Sequence, residues 1–159
     1  MKRRYPGAVT QNDEGPVAPN ALGRVTWALR RTELAVQALK EQRLRPLGIA
    51  VAHYSLLITV HNQPGLTGAE LARRLGVTPQ AVASLVARLE GRGQLERHEH
   101  PRHRHVQELH LTQAGSDVLR AADKVIDEVE QQITGALGLA GAEQLRALLG
   151  EVAEAVRES

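Results

Sequence analysis

The 159-residue chain has no cysteine and no phenylalanine, and its rings amount to one Trp and two Tyr besides histidine. Without thiols there is no disulfide, no thiolate zinc centre, and no cysteine-based redox sensing or catalysis. With so few rings the core must be built from Leu, Val, Ala and Ile, which suits packed helices better than a sheet sandwich. No apolar run approaches the roughly 20 residues that span a bilayer, so no membrane partner is expected. The opening MKRRYPGAVTQNDEGP lacks an apolar centre and does not read as a secretory signal; a cytoplasmic location is the expectation. Also missing are a Gly-rich phosphate loop, a His-Glu-x-x-His pair and a Ser/His/Asp arrangement. Neither an enzyme nor a bound cofactor is expected.

Net charge is only +2, but its distribution is uneven. Residues 1–45 carry nine Lys and Arg against four acids, and residues 113–159 carry four against nine. A molecule basic in one segment and acidic in another suits a surface that meets a polyanion. Ordinary solvated helix faces are the plain alternative.

Residues 1–20 are polar and rich in Pro and Gly, without periodicity, and read as a mobile arm. Leu22, Val25, Leu29, Val36 and Leu39 then form the stripe of a long helix reaching about Arg45. Ile49 to Val60 is nearly apolar all round and reads as a buried helix that stops at HNQPG. Thr67 with Glu70 makes a capping box for a helix that ends at Gly76. Thr78 and Pro79 start another, whose apolar positions are Val82, Leu85, Val86 and Leu89 and which Gly91 and Gly93 end. Two short helices joined by a tight turn are a helix-turn-helix. Leu95–His98 and His105–Leu111 read as a hairpin, and Thr112 caps a long helix to about Leu137. Gly135 and Gly138 interrupt it before a last helix, Glu143–Val156. The fold class is mainly α, a winged helix-turn-helix with a helical dimerisation module from the N- and C-terminal helices.

Taken together, PGLTGAELARRLGVTPQAVASLVARLEGRGQLER and the later LHLTQAG closely resemble the MarR (multiple antibiotic resistance regulator) transcription factors. The likeness covers roughly residues 22–157. It implies one domain over 21–159, with 22–45 and 113–157 as dimerisation helices, 49–62 as a linking helix and 67–112 as the winged helix-turn-helix. It further implies a homodimer on a pseudo-palindromic double-stranded operator, usually a repressor relieved by a small, often aromatic, ligand. The stripes of the terminal helices lack an obvious partner within one small domain, which agrees with a second subunit.

The N-terminal part of a recognition helix enters the major groove, which favours Thr78, Pro79, Gln80 and Ser84. Gln80 can pair with adenine, Ser84 with a base edge or phosphate, and Arg88 with phosphate or guanine. Arg73 and Arg74 on the preceding helix are candidates for phosphate. Many relatives carry Arg where Ser84 stands, so base readout looks thinner here. For each of these residues a plain solvated face is the competing reading.

Five of the seven histidines fall within HEHPRHRHVQELHLT, residues 98–112. The family's wing motif is Asp-x-Arg, six residues before Leu-Thr. Counting back from Leu111-Thr112 places His103 and His105 at those two positions, with Arg102 and Arg104 beside them. Three readings stand open. His103 and His105 replace the wing motif and meet the minor groove; or His98, His100, His103 and His105 bind a metal, though none is the leading expectation; or they are exposed polar loop residues. A metal- or pH-responsive regulator, and a winged-helix module for protein contacts, are the alternative functions. For the effector, of unknown identity, the candidates are Trp27, Arg31, His53, Tyr54 and His61. His53 and His61, eight apart, are expected on one side of their helix.

Overall fold

The computed structural model describes residues 21–100 and 103–157, with only the backbone given for 21 and 103–105. The expected arm, 1–20, lies outside the described residues. The elements are α1 (Val25–Leu44), α2 (Val51–Asn62), α3 (Gly68–Leu75), α4 (Pro79–Gly91), β1 (Leu95–His100), β2 (His103–Leu111) and α5 (Gln113–Arg157). The mainly helical, winged-helix class expected from the sequence is the one observed. Two compact units are distinguished, the division falling inside α1 after Ala35.

In the first unit, Leu22, just ahead of α1, and Val25, Trp27 and Leu34 of α1 face solvent. In the second, the core gathers Leu56, Leu57 and Val60 of α2, Leu71 of α3, Val82, Val86 and Leu89 of α4, and Leu95 and Leu109 of the hairpin. It is aliphatic, as the shortage of rings requires. A smaller cluster joins Leu44, Ile49, Val51 and Ala122.

Local chemistry accounts for most boundaries. α2 starts at Val51 rather than Ile49, because a turn of 3-10 helix at Arg45–Leu47 closes at Gly48 and leaves Ala50 extended. The Val51 N–H then donates to Glu41 Oε1 at 3.0 Å. In α3 the box is complete: Glu70 N–H donates to Thr67 Oγ1 (3.3 Å), while Thr67 N–H and hydroxyl donate to Glu70 Oε2 (both 2.8 Å). Those donors hold the Glu70 carboxyl below the usual carboxylate range. A depressed acid stabilises the fold above the unfolded-state value near 4.5, and that contribution fades as pH falls through the folded value. Glu70→Gln is therefore expected to cost about 0.3–1 kcal/mol at neutral pH and low salt. The gap from wild type should narrow below pH 4.5 in unfolding curves run from pH 3 to 7; a constant gap would contradict it.

Gly76, at φ +64°, closes α3 with its N–H on Ala72 O, and Thr78 Oγ1 accepts from Ala81 N–H at 3.1 Å to open α4. β1 and β2 are antiparallel, with Leu95 opposite Leu111 and Arg97 opposite Leu109. The hairpin is longer than expected: Glu99 pairs Gln107 and, past a bulge, His100 pairs His103. Ladder pairing is a backbone property and continues where side-chain alternation stops being informative. Leu66 also bridges Leu109, its carbonyl accepting Leu109 N–H at 3.0 Å; that short third edge was not expected.

Thr112 accepts from Gly115 N–H (3.0 Å) and donates to Gly93 O (2.6 Å), so one side chain caps α5 and fixes the end of the α4 turn. Gly138 (φ 72°, ψ 163°) breaks α5 into two helices. Gly135 does not interrupt it; a helical glycine costs about 1 kcal/mol but keeps its N–H in the ladder. The last helix accordingly resumes straight after Gly138 and not at Glu143.

Candidate nucleic-acid interface

α4 buries Val82, Val86 and Leu89 and leaves Thr78, Pro79, Gln80, Ala83, Ser84, Ala87 and Arg88 exposed. Gln80, Ser84 and Arg88 recur every four residues and so line one stripe of the helix. Arg73 and Arg74, in the last turn of α3, are also exposed. The surface offers an amide, a hydroxyl and three guanidiniums, all of them able to donate hydrogen bonds to base edges or phosphate oxygens.

The wing is tied to this helix by a contact that sequence reasoning missed. Arg97 of β1 donates from Nε to Glu90 Oε1 at 2.7 Å and from Nη2 to Glu90 Oε2 at 3.2 Å. This bidentate fork raises the Arg97 pKa and joins the last turn of α4 to the first strand of the hairpin. Seven residues separate the pair across a turn, and no helical or strand spacing announces it.

At the tip, β2 carries the backbone of His103, Arg104 and His105, whose side chains lie outside the described residues, as does Arg102. Further down, the strands display a face of alternating His and Glu. His98 Nε2 lies 3.0 Å from Glu96 Oε1, His110 Nε2 lies 3.3 Å from Glu108 Oε2, and His100 Nε2 lies 3.7 Å from Glu108 Oε1. The His98 and His110 rings stack at 4.4 Å. Of the four histidines considered for a metal, His98 and His100 thus belong to a set completed by Glu96, Glu108 and His110. Only the strand register reveals those partners. As they stand, no three His, Asp or Glu side chains among the described residues surround a metal position.

The ligand candidates separate. His61 is exposed in a groove of about 350 Å³ lined also by Ile58, Asn62, Ser116, Arg120 and Asp123. Tyr54 reaches the same wall, its hydroxyl donating to Asp123 Oδ1 at 2.8 Å. Burial, with that bond to an acid, pushes the phenol well above its ordinary pKa. His53 does not join His61: eight steps of 100° leave the two about 80° apart, and His53 is only 4% exposed. Its Nδ1 accepts from Ala50 N–H at 3.3 Å, while Nε2 is buried without a hydrogen-bond partner. Burial first, then the Arg92 and Arg88 charges, hold the ring's pKa below its ordinary value. Trp27 and Arg31 line a separate cleft of about 140 Å³ with Arg30 and Leu34 in the first unit.

Residues 47–104, from the turn before α2 to the wing, match the MarR family. The chain is 28% identical to the transcriptional repressor CouR, in a structure bound to a 23-mer DNA duplex; the match covers 82% of this chain and 93% of that one, with a TM-score of 0.77. The chain thus resembles the MarR family, through the family match over residues 47–104 and through its fold over most of its length. The same fold, at 23% identity, is seen in the MepR–DNA complex of S. aureus (86% and 99% of the chains, TM-score 0.75). It recurs at 22% identity in MarR of E. coli (81% and 96%, TM-score 0.72). As in those structures, the chain has a winged helix-turn-helix in which α3 and α4 are the two helices and β1–β2 the wing. Among the described residues no helix is long and apolar enough to cross a membrane.

Proposed function

We propose that this chain is a MarR-family regulator, a homodimeric, sequence-specific binder of double-stranded DNA, acting as a repressor that a small ligand releases. The observation that carries the reading is the exposed stripe Gln80, Ser84, Arg88 along α4, with Arg73 and Arg74 exposed in the last turn of α3. In its bound state Gln80 pairs with a base edge in the major groove, and the arginines, with Thr78, Pro79 and Ser84 around them, set the helix on the phosphates. The wing residues Arg102, His103, Arg104 and His105 approach the flanking minor groove.

Two further features support it. Leu139 is 77% exposed, and Leu145, Leu148, Leu149 and Val156 of the same helix also face solvent. A row of aliphatic side chains at helical spacing is the surface a second copy of the chain would cover. For release, the groove holding His61, Arg120 and Asp123 offers polar groups around an apolar wall, a fit for a small aromatic acid or its thioester. CouR, the relative above, has also been solved with p-coumaroyl-CoA. With no cysteine in the chain, release works through binding and not through thiol oxidation.

Footprinting of the full chain on DNA from upstream of its own coding sequence tests this. The expected result is two protected half-sites about one helical turn, 10–10.5 bp, apart, with two chains per duplex. Protection should weaken when an aromatic acid or aryl-CoA thioester is added. Absence of protection on any duplex in low salt would overturn the reading in favour of a winged-helix module for protein contacts.

A further inference from the structure

We propose that the Glu90–Arg97 fork sets the angle of the wing on α4, so that Glu90, an acid beside a DNA-facing surface, strengthens DNA binding instead of opposing it. The core ends early along the hairpin. Leu95 and Leu109 are buried, while residues 96–100 and 106–108 are all exposed or half-buried. Arg97 stands opposite Leu109, on the outermost rung that still holds a core residue. The His98–Glu96, His110–Glu108 and His100–Glu108 pairs join hairpin residues to one another and do not reach α4.

Nor does the hairpin rest on the front of α4. A groove of about 220 Å³ opens between them, lined in part by Pro79, Ala83 and Val86 of α4 and by Arg97 and Leu109 of the strands. Packing therefore holds the root of the hairpin, and the fork holds the inclination of what lies beyond it. Its two bonds, 2.7 Å from Nε and 3.2 Å from Nη2, set a planar guanidinium against a planar carboxylate, which specifies direction as well as distance.

Leverage makes that direction matter. Five residues at about 3.3 Å each put His100 about 17 Å beyond Leu95, so a tilt of about 10° would carry it about 3 Å. A displacement as long as a hydrogen bond takes the outer wing off its contacts. As an ion pair the fork adds little stability, since the Arg97 and Glu90 side chains are 44% and 29% exposed. Arg97 thus acts through Glu90 and not as a phosphate contact. The consequence for DNA rests on the regulator reading above, whereas the ordering of the wing does not.

Three variants of the full chain test this: Glu90→Gln, Arg97→Lys and the two combined. Gln removes the charge, and Lys keeps it but cannot form the fork. Each single variant should bind the upstream duplex about fivefold more weakly or worse, and the double variant no more weakly than either, because all three lose one interaction. Footprints should lose protection at the flanks, where the wing lies, and keep it at the centre of each half-site. Melting temperatures should stay close to wild type. Without DNA, ¹⁵N relaxation should show order parameters over residues 98–100 and 106–108 falling from about 0.85 toward about 0.6 in Glu90→Gln, with α4 unchanged. Wing amides as rigid as wild type in that variant would overturn the proposal. So would Glu90→Gln binding DNA as tightly as wild type or tighter. Arg97→Lys at the wild-type level, with Arg97→Ala lowering the salt slope by about 0.9, would also overturn it and make Arg97 a direct phosphate contact. If wild type binds no duplex in low salt, the regulator reading fails together with the DNA consequence, and the relaxation result alone decides the positioning.

Discussion

Ser84→Glu is expected to reduce operator affinity a hundredfold or more while leaving the melting temperature close to wild type. Ser84 is exposed in the middle of the stripe, one turn from both Gln80 and Arg88. A surface substitution there changes stability by no more than about 0.5 kcal/mol. Against DNA the same carboxylate meets a duplex that carries one charge per about 1.7 Å of axis. Like charges brought together at an interface cost several kcal/mol, and a hundredfold loss corresponds to about 2.7 kcal/mol. Ser84→Arg reverses the sign: a guanidinium at that position reaches phosphate or guanine, so affinity should rise. Anisotropy titrations of both variants, with melting curves alongside, check the pair. If Ser84→Glu binds as wild type does, α4 is not the reading helix.

Gly115→Ala is expected to destabilise the protein by at least about 2 kcal/mol, a fall of several degrees in melting temperature for a domain of this size. Gly115 is buried in the first turn of α5, where a Cβ would run into the backbone carbonyl oxygen of Gln94. That carbonyl also accepts Thr112 N–H at 3.2 Å, and neither it nor the helix turn can retreat without breaking the Thr112 cap. This explains why Leu111-Thr112 is followed by a glycine at 115: the Thr ties the helix to the end of the α4 turn, and the Gly lets the backbones touch. Gly135→Ala supplies the contrast. Gly135 is exposed within the helix, and a Cβ there meets nothing within 4 Å, so that variant should gain about 0.5–1 kcal/mol. Equal effects at the two glycines, read by chemical or thermal unfolding, would contradict the packing account.

These pairs also indicate what could be read without coordinates. The Thr67–Glu70 box, the Thr78–Pro79 start and the Gly76 stop are local events, each set by side chains within four residues, and all three formed where expected. The buried stripe of α4, and with it the opposite exposed stripe, follows from period alone. Features that depend on two strands finding a register were hidden: the extra length of the hairpin, the Leu66–Leu109 bridge, and the pairing of His98 and His110 with Glu108 and Glu96. The Glu90–Arg97 fork was hidden for the same reason, since it needs the strand to fold back onto the helix end. His53 and His61 were grouped by a spacing that is only approximately helical, and burial separates them.

The most direct test of the central claim is an equilibrium titration of the wild-type chain against its upstream duplex at salt concentrations from 50 to about 200 mM. A protein that sets α4 in the major groove through Arg73, Arg74 and Arg88 releases counterions. The logarithm of its affinity should then fall linearly with the logarithm of salt, by about 0.9 per phosphate neutralised. The account predicts tight binding at low salt, a negative slope of several units, and a shallower slope when Arg73 and Arg74 are replaced by Ala. Binding that ignores salt, or a slope unchanged in that double variant, would contradict it.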